Sequence, residues 1–273
     1  MSVIIRVMTS NVWGNCPASA PIANRDDNLA VVYRRYAPHV IGMQEVSPKS
    51  RAESDNIISL VRAMYREVPA DITPFQNNYT PILYRYDVLS LDDMGYINYK
   101  SLNDAGSKSI TWGLFRENSS GTRFLHINTH YYWTDDAPGR TARIQNSLEM
   151  LALVNKLAAQ YPDIPMFFTG DFNCRTQDVP IRILMDEGIH EARSQNEGTP
   201  PLICSHHGYP GKNEETGLFD IPAAVKEGPE NSIDHILVRY GNTQVHVRSH
   251  VIVDDRESLL ATDHCPIYCD MEF

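Results

Sequence analysis

The segment Phe167-Phe168-Thr169-Gly170-Asp171-Phe172-Asn173 delivers an acid and an amide, two residues apart, at the end of an apolar run. Side chains at that spacing face one side of an extended chain. There a carboxylate can orient or deprotonate a water while an amide hydrogen-bonds a developing oxyanion, the two demands of phosphoryl hydrolysis. The same pair equally suits an Asx turn capping the helix that follows. The segment by itself does not choose between them.

Ionisable groups also stand at the ends of other apolar runs, where α/β active sites commonly form. Ser232-Ile233-Asp234-His235 enters one such run, and Thr262-Asp263-His264 precedes another. His235 reads equally as a surface residue or as a satisfied core imidazole. Thr9-Ser10-Asn11 and Met43-Gln44-Glu45 place an amide and a carboxylate where they could give hard oxygen ligands to magnesium or manganese. A lone Glu45 is otherwise a solvated loop charge. Ile127-Asn128-Thr129-His130 ends a further run with an imidazole able to donate to a phosphate oxygen.

These residues need strands to position them. Strand patterns fall at residues 3 to 10, 39 to 45, 82 to 97, 109 to 117, 122 to 130, 165 to 170, 233 to 239, 244 to 253 and 265 to 272, which requires more than one sheet. Helical patterns fall at 25 to 36, 52 to 66, 139 to 160 and 178 to 187. The third puts Ile144, Leu148, Leu151, Val154 and Ala158 on one stripe, read as core. Asn118-Ser119-Ser120-Gly121 is a hairpin turn whose glycine can take a positive φ. Residues 194 to 231, with Pro200-Pro201 and little periodicity, read as a rim over the active face. No linker divides the chain, which favours one domain over 1–273.

A 273-residue chain that is 42% hydrophobic and 21% charged can bury a large core. Its net charge of −10 shows no cationic surface of the kind that binds nucleic acid through counterion release. The five cysteines lack paired metal-ligand spacing, and an odd number argues against a disulfide framework. Neither a signal peptide nor a membrane span is visible, so a cytoplasmic location is the expectation.

Taken in order, Asn11, Gln44-Glu45, Asn128-Thr129-His130, Gly170-Asp171-Phe172-Asn173, Ile233-Asp234-His235 and Asp263-His264 resemble the endonuclease/exonuclease/phosphatase superfamily. That is the fold of deoxyribonuclease I, abasic-site endonucleases, neutral sphingomyelinases and inositol phosphate phosphatases. The resemblance spans nearly the whole chain. It implies a four-layer α/β sandwich in which two mixed β-sheets pack face to face with helices outside. It further implies Glu45 as principal metal ligand with Asn11 and Asp263 beside it, and Asp171 with Asn173 positioning the attacking water. His264 would contact the scissile phosphate, oriented by Asp234, and His130, as a cationic imidazole, would donate to a phosphate oxygen or the leaving group. The implied cofactor is Mg2+ or Mn2+.

Deoxyribonuclease-like relatives often carry a Glu that buttresses the first catalytic histidine, just before the strand written here Tyr79-Thr80-Pro81-Ile82. This chain offers Asn77 and Asn78 instead. Ser205-His206-His207-Gly208-Tyr209 resembles a signature of small bacterial hydrolases in the superfamily, which makes His207 a candidate substrate contact or an exposed rim residue. Trp112 and Trp133 are candidates for a stacking wall. The expected activity is metal-dependent hydrolysis of a phosphoester on a small molecule or lipid head group. Alternatives are a nuclease with the same site, which the acidic balance disfavours, and a binding module on the same fold, which the intact catalytic set disfavours.

Overall fold

Period-two alternation of apolar residues sorts the strands into two packed sheets. The computed structural model describes residues 2–14, 16, 24–53, 55–72, 76–208 and 228–273, and within these twelve strands form two six-stranded sheets. The strands are β1 (Ile4–Asn11), β2 (Val40–Gln44), β3 (Tyr65–Glu67), β4 (Ile82–Arg85), β5 (Leu89–Asn98), β6 (Ser109–Glu117), β7 (Arg123–His130), β8 (Met166–Asp171), β9 (His190–Glu191), β10 (Asp234–Arg239), β11 (His246–Ile252) and β12 (Ile267–Glu272). One sheet runs β11-β12-β1-β2-β4-β3, the other β5-β6-β7-β8-β10-β9. Both are mixed: β1 lies parallel to β2 and antiparallel to β12, while β8 lies parallel to β7 and antiparallel to β10.

Between the sheets, Ile5, Val7, Val40 and Ile82 meet Phe115, Phe124, Phe167, Ile236 and Val238. On the outer face of the first sheet, Met8, Ile41 and Met43 pack with Leu29, Val32 and Tyr33 of helix α1 (Arg25–Tyr36). Outside the second, Leu125, Ile127 and Phe168 pack with residues of two further helices, Ala137–Gln160 and Val179–Asp186. The expected four-layer sandwich of two mixed sheets is present.

Four local expectations change. Residues 82 to 97 are two strands in different sheets, because a turn at Arg85, closed by its bond to Asp87 at 2.7 Å, breaks the run. Residues 52 to 66 hold no single helix. The Asn56 side chain accepts from the Ser59 N–H at 3.0 Å and starts a new short helix, Ile57–Val61, followed by β3. In the long helix Leu148 is exposed, and Arg143, Asn146, Ser147, Met150, Leu153, Val154 and Leu157 face inward. Polar residues can take those places because each is bonded there; Ser147 donates to Pro180 O at 2.9 Å. Of the rim, residues 194 to 208 are partly paired with β11 and with His264, while Tyr209 and residues up to 227 lie outside the described residues. The hairpin turn holds: Gly121 has φ 76 and the Glu117 carboxylate accepts the Ser119 and Ser120 N–H groups.

Along the inner faces, side chains pass from apolar to polar to ionisable in steps of two. The series are Val7, Thr9, Asn11 on β1; Val40, Gly42, Gln44 on β2; Phe124, His126, Asn128, His130 on β7; Phe167, Thr169, Asp171 on β8; and Val238, Ile236, Asp234 on β10. At the middle level Asn128 joins the sheets. Its Oδ1 accepts from Gln44 Nε2 at 2.7 Å and Thr169 Oγ1 at 3.0 Å, and its Nδ2 donates to Met43 O at 2.6 Å and Thr80 O at 3.1 Å. Gly42 makes room, since a Cβ there would lie 2.0 Å from Thr169 Oγ1 and 2.4 Å from Asn128 Oδ1.

Asn128→Ala strands buried partners in both sheets and should destabilise the protein by about 3 kcal/mol or more in urea unfolding, at ~1 to 3 kcal/mol for each buried group left unpaired; a loss under ~1 kcal/mol would show that the seam is not structural. A second prediction concerns Glu191 on β9. Burial pushes its pKa up, but the His235 hydrogen bond and charge, Arg193 and Thr176 outweigh that and hold it at about 2. A depressed acid stabilises the fold above its unfolded pKa and loses that contribution as pH falls from about 4.5 toward 2. Glu191→Gln should therefore flatten the acid limb of the stability profile in that window by roughly 2 to 3 kcal/mol; an unaltered profile would remove Glu191 from the account.

Candidate active site

Strand register brings the scattered residues together. His130, Asp171 and Asp234 are direct neighbours across β7, β8 and β10, and Asn11 sits beside Gln44 at the end of the facing sheet, with Glu45 next. They converge on a cavity of about 660 Å³ whose walls include Glu45, Lys108, His130, Asp171, Asp263 and His264. Asp171 serves two purposes at once. Its Oδ1 accepts the Asn173 N–H at 2.9 Å, forming the Asx turn, while Oδ2 accepts from Asn11 Nδ2 at 2.9 Å and faces the cavity side chains. Burial, and then the charge of Asp234, raise its pKa above the usual carboxylate range.

Asn11 Nδ2 also lies 3.3 Å from Glu45 Oε1, and its Oδ1 accepts the Trp13 N–H at 2.9 Å. In this arrangement Asn11 clamps two carboxylates through its amide hydrogens, and its oxygen is turned to the backbone.

His264 is fixed from behind. Its Nδ1 lies 2.7 Å from Asp234 Oδ2, which also accepts from Ser205 Oγ at 2.7 Å. Ser205 Oγ in turn accepts the Ile233 and Asp234 N–H groups, so the serine sets the carboxylate. The front nitrogen, Nε2, lies 3.9 Å from Asp171 Oδ2 and 3.9 Å from Asp263 Oδ1. Burial works against the imidazolium, but Asp234, Asp263 and Asp171 outweigh it and raise the pKa of His264 well above its usual value.

Burial, reinforced by Lys108 and His264, pushes the pKa of His130 well below the usual value, a shift that works against the cationic imidazole implied by the resemblance. The hydrogen bonds of Asn77 and Asn78 go elsewhere: Asn77 Nδ2 donates to Val46 O, and Asn78 Oδ1 accepts the Thr80 N–H. The side chain that meets His130 is Lys108, whose Nζ lies 2.9 Å from Nε2 and 3.2 Å from Nδ1. Sequence reasoning missed Lys108, because a lysine between two serines at a strand start carries no motif; only the fold brings it to His130.

The donor set suits a hard cation. Glu45, His130 and Asp171 each offer one atom within 4.8 Å of the others, as do Asp171, Asp234 and His264, and His206, Asp263 and His264. The first two groups each have two carboxylates to one histidine, the oxygen-rich set that magnesium and manganese prefer, whereas the third has two histidines to one acid. Backbone strain is concentrated here too. Of seven described non-glycine residues with positive φ, four line this cavity: Trp13 (50), Glu45 (63), Ala105 (51) and Asn173 (50). Such strain persists where surrounding structure enforces it and clusters at functional sites.

The remaining sequence candidates divide. Trp133 is 61% exposed and lines the cavity, held by its Nε1–H to Asp104 Oδ2 at 2.8 Å. Trp112 does not line it. It packs on the outer face of the second sheet beside Gly95, whose missing Cβ leaves room for the indole. His207 is buried and also outside the cavity lining; its N–H donates to Asp263 O at 3.0 Å. Its neighbour His206, paired with His264 across a β-bridge, sets its ring 4.7 Å from that of His264, because successive side chains point to opposite sides. His235 is a core imidazole, with Nε2 at 2.8 Å from Cys174 O and Nδ1 at 3.3 Å from Glu191.

An endonuclease/exonuclease/phosphatase family protein of Bacteroides thetaiotaomicron is similar over 100% of this chain and 99% of its own, at 17% identity and TM-score 0.75. The mannosyl-6-phosphatase Bt3783 of the same organism is similar over 98% and 100%, at 18% identity and TM-score 0.74. A truncated TDP2 of Caenorhabditis elegans is similar over 98% and 97%, at 19% identity and TM-score 0.70. No curated protein matches by sequence. The model of the Endonuclease/Exonuclease/phosphatase family matches residues 8–264, a span that holds each of the converging strand ends, and the chain belongs to that family.

Proposed function

We propose that this protein is a magnesium- or manganese-dependent hydrolase of a phosphoester carried by a small molecule or lipid-derived head group. The observation that carries the reading is His264, held by Asp234 at 2.7 Å with its other nitrogen facing Asp171 at 3.9 Å, in the cavity that also contains Glu45. Family members generally hydrolyse phosphoesters and are typically dependent on a divalent metal.

Glu45 would hold the ion with Asp263 and Asp171 close by, and the ion would offset the acids and polarise the phosphoryl oxygens. The protein's own groups do the rest. Asp171 Oδ2 is placed to take a proton from the attacking water, its raised pKa bringing it nearer the pH of use. Asn173 donates one amide hydrogen to Tyr131 O at 3.1 Å and faces the cavity, where its amide can orient the water. Cationic His264 donates from Nε2 to a phosphoryl oxygen while Asp234 keeps the ring turned toward it. His130, backed by Lys108, can give a second hydrogen bond to the phosphoryl group.

Two features support a small substrate. A cavity of about 660 Å³ is the size that encloses a compact ligand, and a chain of net charge −10 repels a polyanion outside the cavity. Exposed Trp133 offers a flat face for a ring or head group.

Hydrolysis of a chromogenic phosphoester should vanish after chelation and dialysis and return with magnesium or manganese. In the reloaded protein, Asp171→Asn and His264→Asn should each lower kcat by ~100-fold or more, the scale of losing an acid/base or oxyanion group. Rates equal to wild type in both variants would leave a binding module on the same fold as the explanation.

A further inference from the structure

Lys108 is a buried cation on the cavity wall that the hydrolytic scheme does not require. The residue is 4% exposed, and among the described residues no carboxylate oxygen lies within 4.0 Å of its Nζ. Among the described residues its ammonium has hydrogen-bond contacts with the ring of His130 alone, at 2.9 and 3.2 Å, and one imidazole cannot use three N–H donors. Desolvating an ammonium without an anion is costly. Burial pulls its pKa below the usual lysine value, while Glu45, Asp171 and Asp104 act in the opposite sense from a distance.

The position is also built. The Asn103 side chain closes the loop that ends in Lys108: its Oδ1 accepts the Lys108 N–H at 2.9 Å, and its Nδ2 donates to Lys108 O at 2.8 Å and Tyr99 O at 3.1 Å. A flexible surface lysine needs no such clamp. Here the clamp fixes where the stem enters the cavity, with Asp104 and Ala105 of the same loop on the rim.

We propose that Lys108 is the specificity-determining contact for a terminal phosphate, its Nζ pairing with the third non-bridging oxygen of a phosphomonoester dianion, so that the site takes monoesters in preference to diesters. A diester has two non-bridging oxygens and one charge, for which an ion held by Glu45 and the Nε2–H of His264 would be the partners. A monoester near neutral pH carries close to two charges on three such oxygens. The additional oxygen and the additional charge are what a desolvated, unpaired ammonium beside His130 can satisfy.

The inference rests on the hydrolase reading, and the test separates the two. Magnesium-loaded wild type, Lys108→Met and Lys108→Gln are assayed on p-nitrophenyl phosphate and methyl p-nitrophenyl phosphate, which share a leaving group, and by calorimetry with inorganic phosphate and dimethyl phosphate. Wild type should favour the monoester, and both variants should lower the monoester-to-diester ratio of kcat/KM by ~10-fold or more, with a similar loss of inorganic phosphate affinity, as expected for removing one charge-assisted hydrogen bond. Equal falls on both esters, or wild-type binding of dimethyl phosphate as tight as of inorganic phosphate, would overturn the role of Lys108 and leave the hydrolase reading standing. Lysine-dependent phosphate binding with no turnover of either ester would do the reverse. Wild-type indifference between the two anions overturns the proposal even if neither variant folds.

Discussion

The amide of Asn128 holds the two sheets at one fixed separation, and the site depends on that separation. Five hydrogen bonds to Gln44, Thr169, Met43, Thr80 and Pro81 use both ends of one side chain, and Gly42 supplies the space. One step above this level the inner faces carry Asn11 on one sheet and His130 and Asp171 on the other. Asn11 on one sheet and Asp171 on the other are bonded at 2.9 Å, so a shift between the sheets would part them. Strand alternation, which elsewhere only separates core from surface, here grades a single interior from hydrocarbon to carboxylate.

That gradient ends in a crowding of acids that the chain offsets unevenly. Asp234 is neutralised by His264 and set by Ser205, and Asp171 shares its oxygens between the Asn173 N–H and the Asn11 amide. Glu45, held at a positive φ, receives the longer Asn11 contact at 3.3 Å and stands 4.0 Å from His130, whose pKa burial pushes down. Among the described residues Glu45 is thus the acid of this cavity with the least protein compensation. A hard cation, as proposed, would supply the charge that completes the set.

How much of this was legible in the sequence follows from the range of each interaction. Strand ends announce themselves because the apolar run and the polar residue after it are contiguous; hence Asn11, Glu45, His130, Asp171, Asp234 and His264 could be picked out before their meeting was visible. Asp171 shows the limit of choosing between two readings of one motif, since its two oxygens serve an Asx turn and the cavity together. Lys108 left no trace, because its meaning depends on where β6 lies against β7. The inward face of the long helix was misjudged because Arg143, Asn146 and Ser147 are buried through hydrogen bonds that periodicity does not register. The sequence singles out His207 without showing the pairing with His264, which sets the ring of His206 4.7 Å from that of His264.

The central claim is that these strand ends form one metal-binding centre with Glu45 as its chief ligand. It is tested most directly by titrating metal-free protein with manganese(II), read by electron paramagnetic resonance, and comparing wild type with Glu45→Gln. The account predicts a site in the wild type whose affinity falls by ~10-fold or more in the variant, at least the loss seen when a residue supporting a metal ligand is removed. Equal affinity in the two proteins would contradict it.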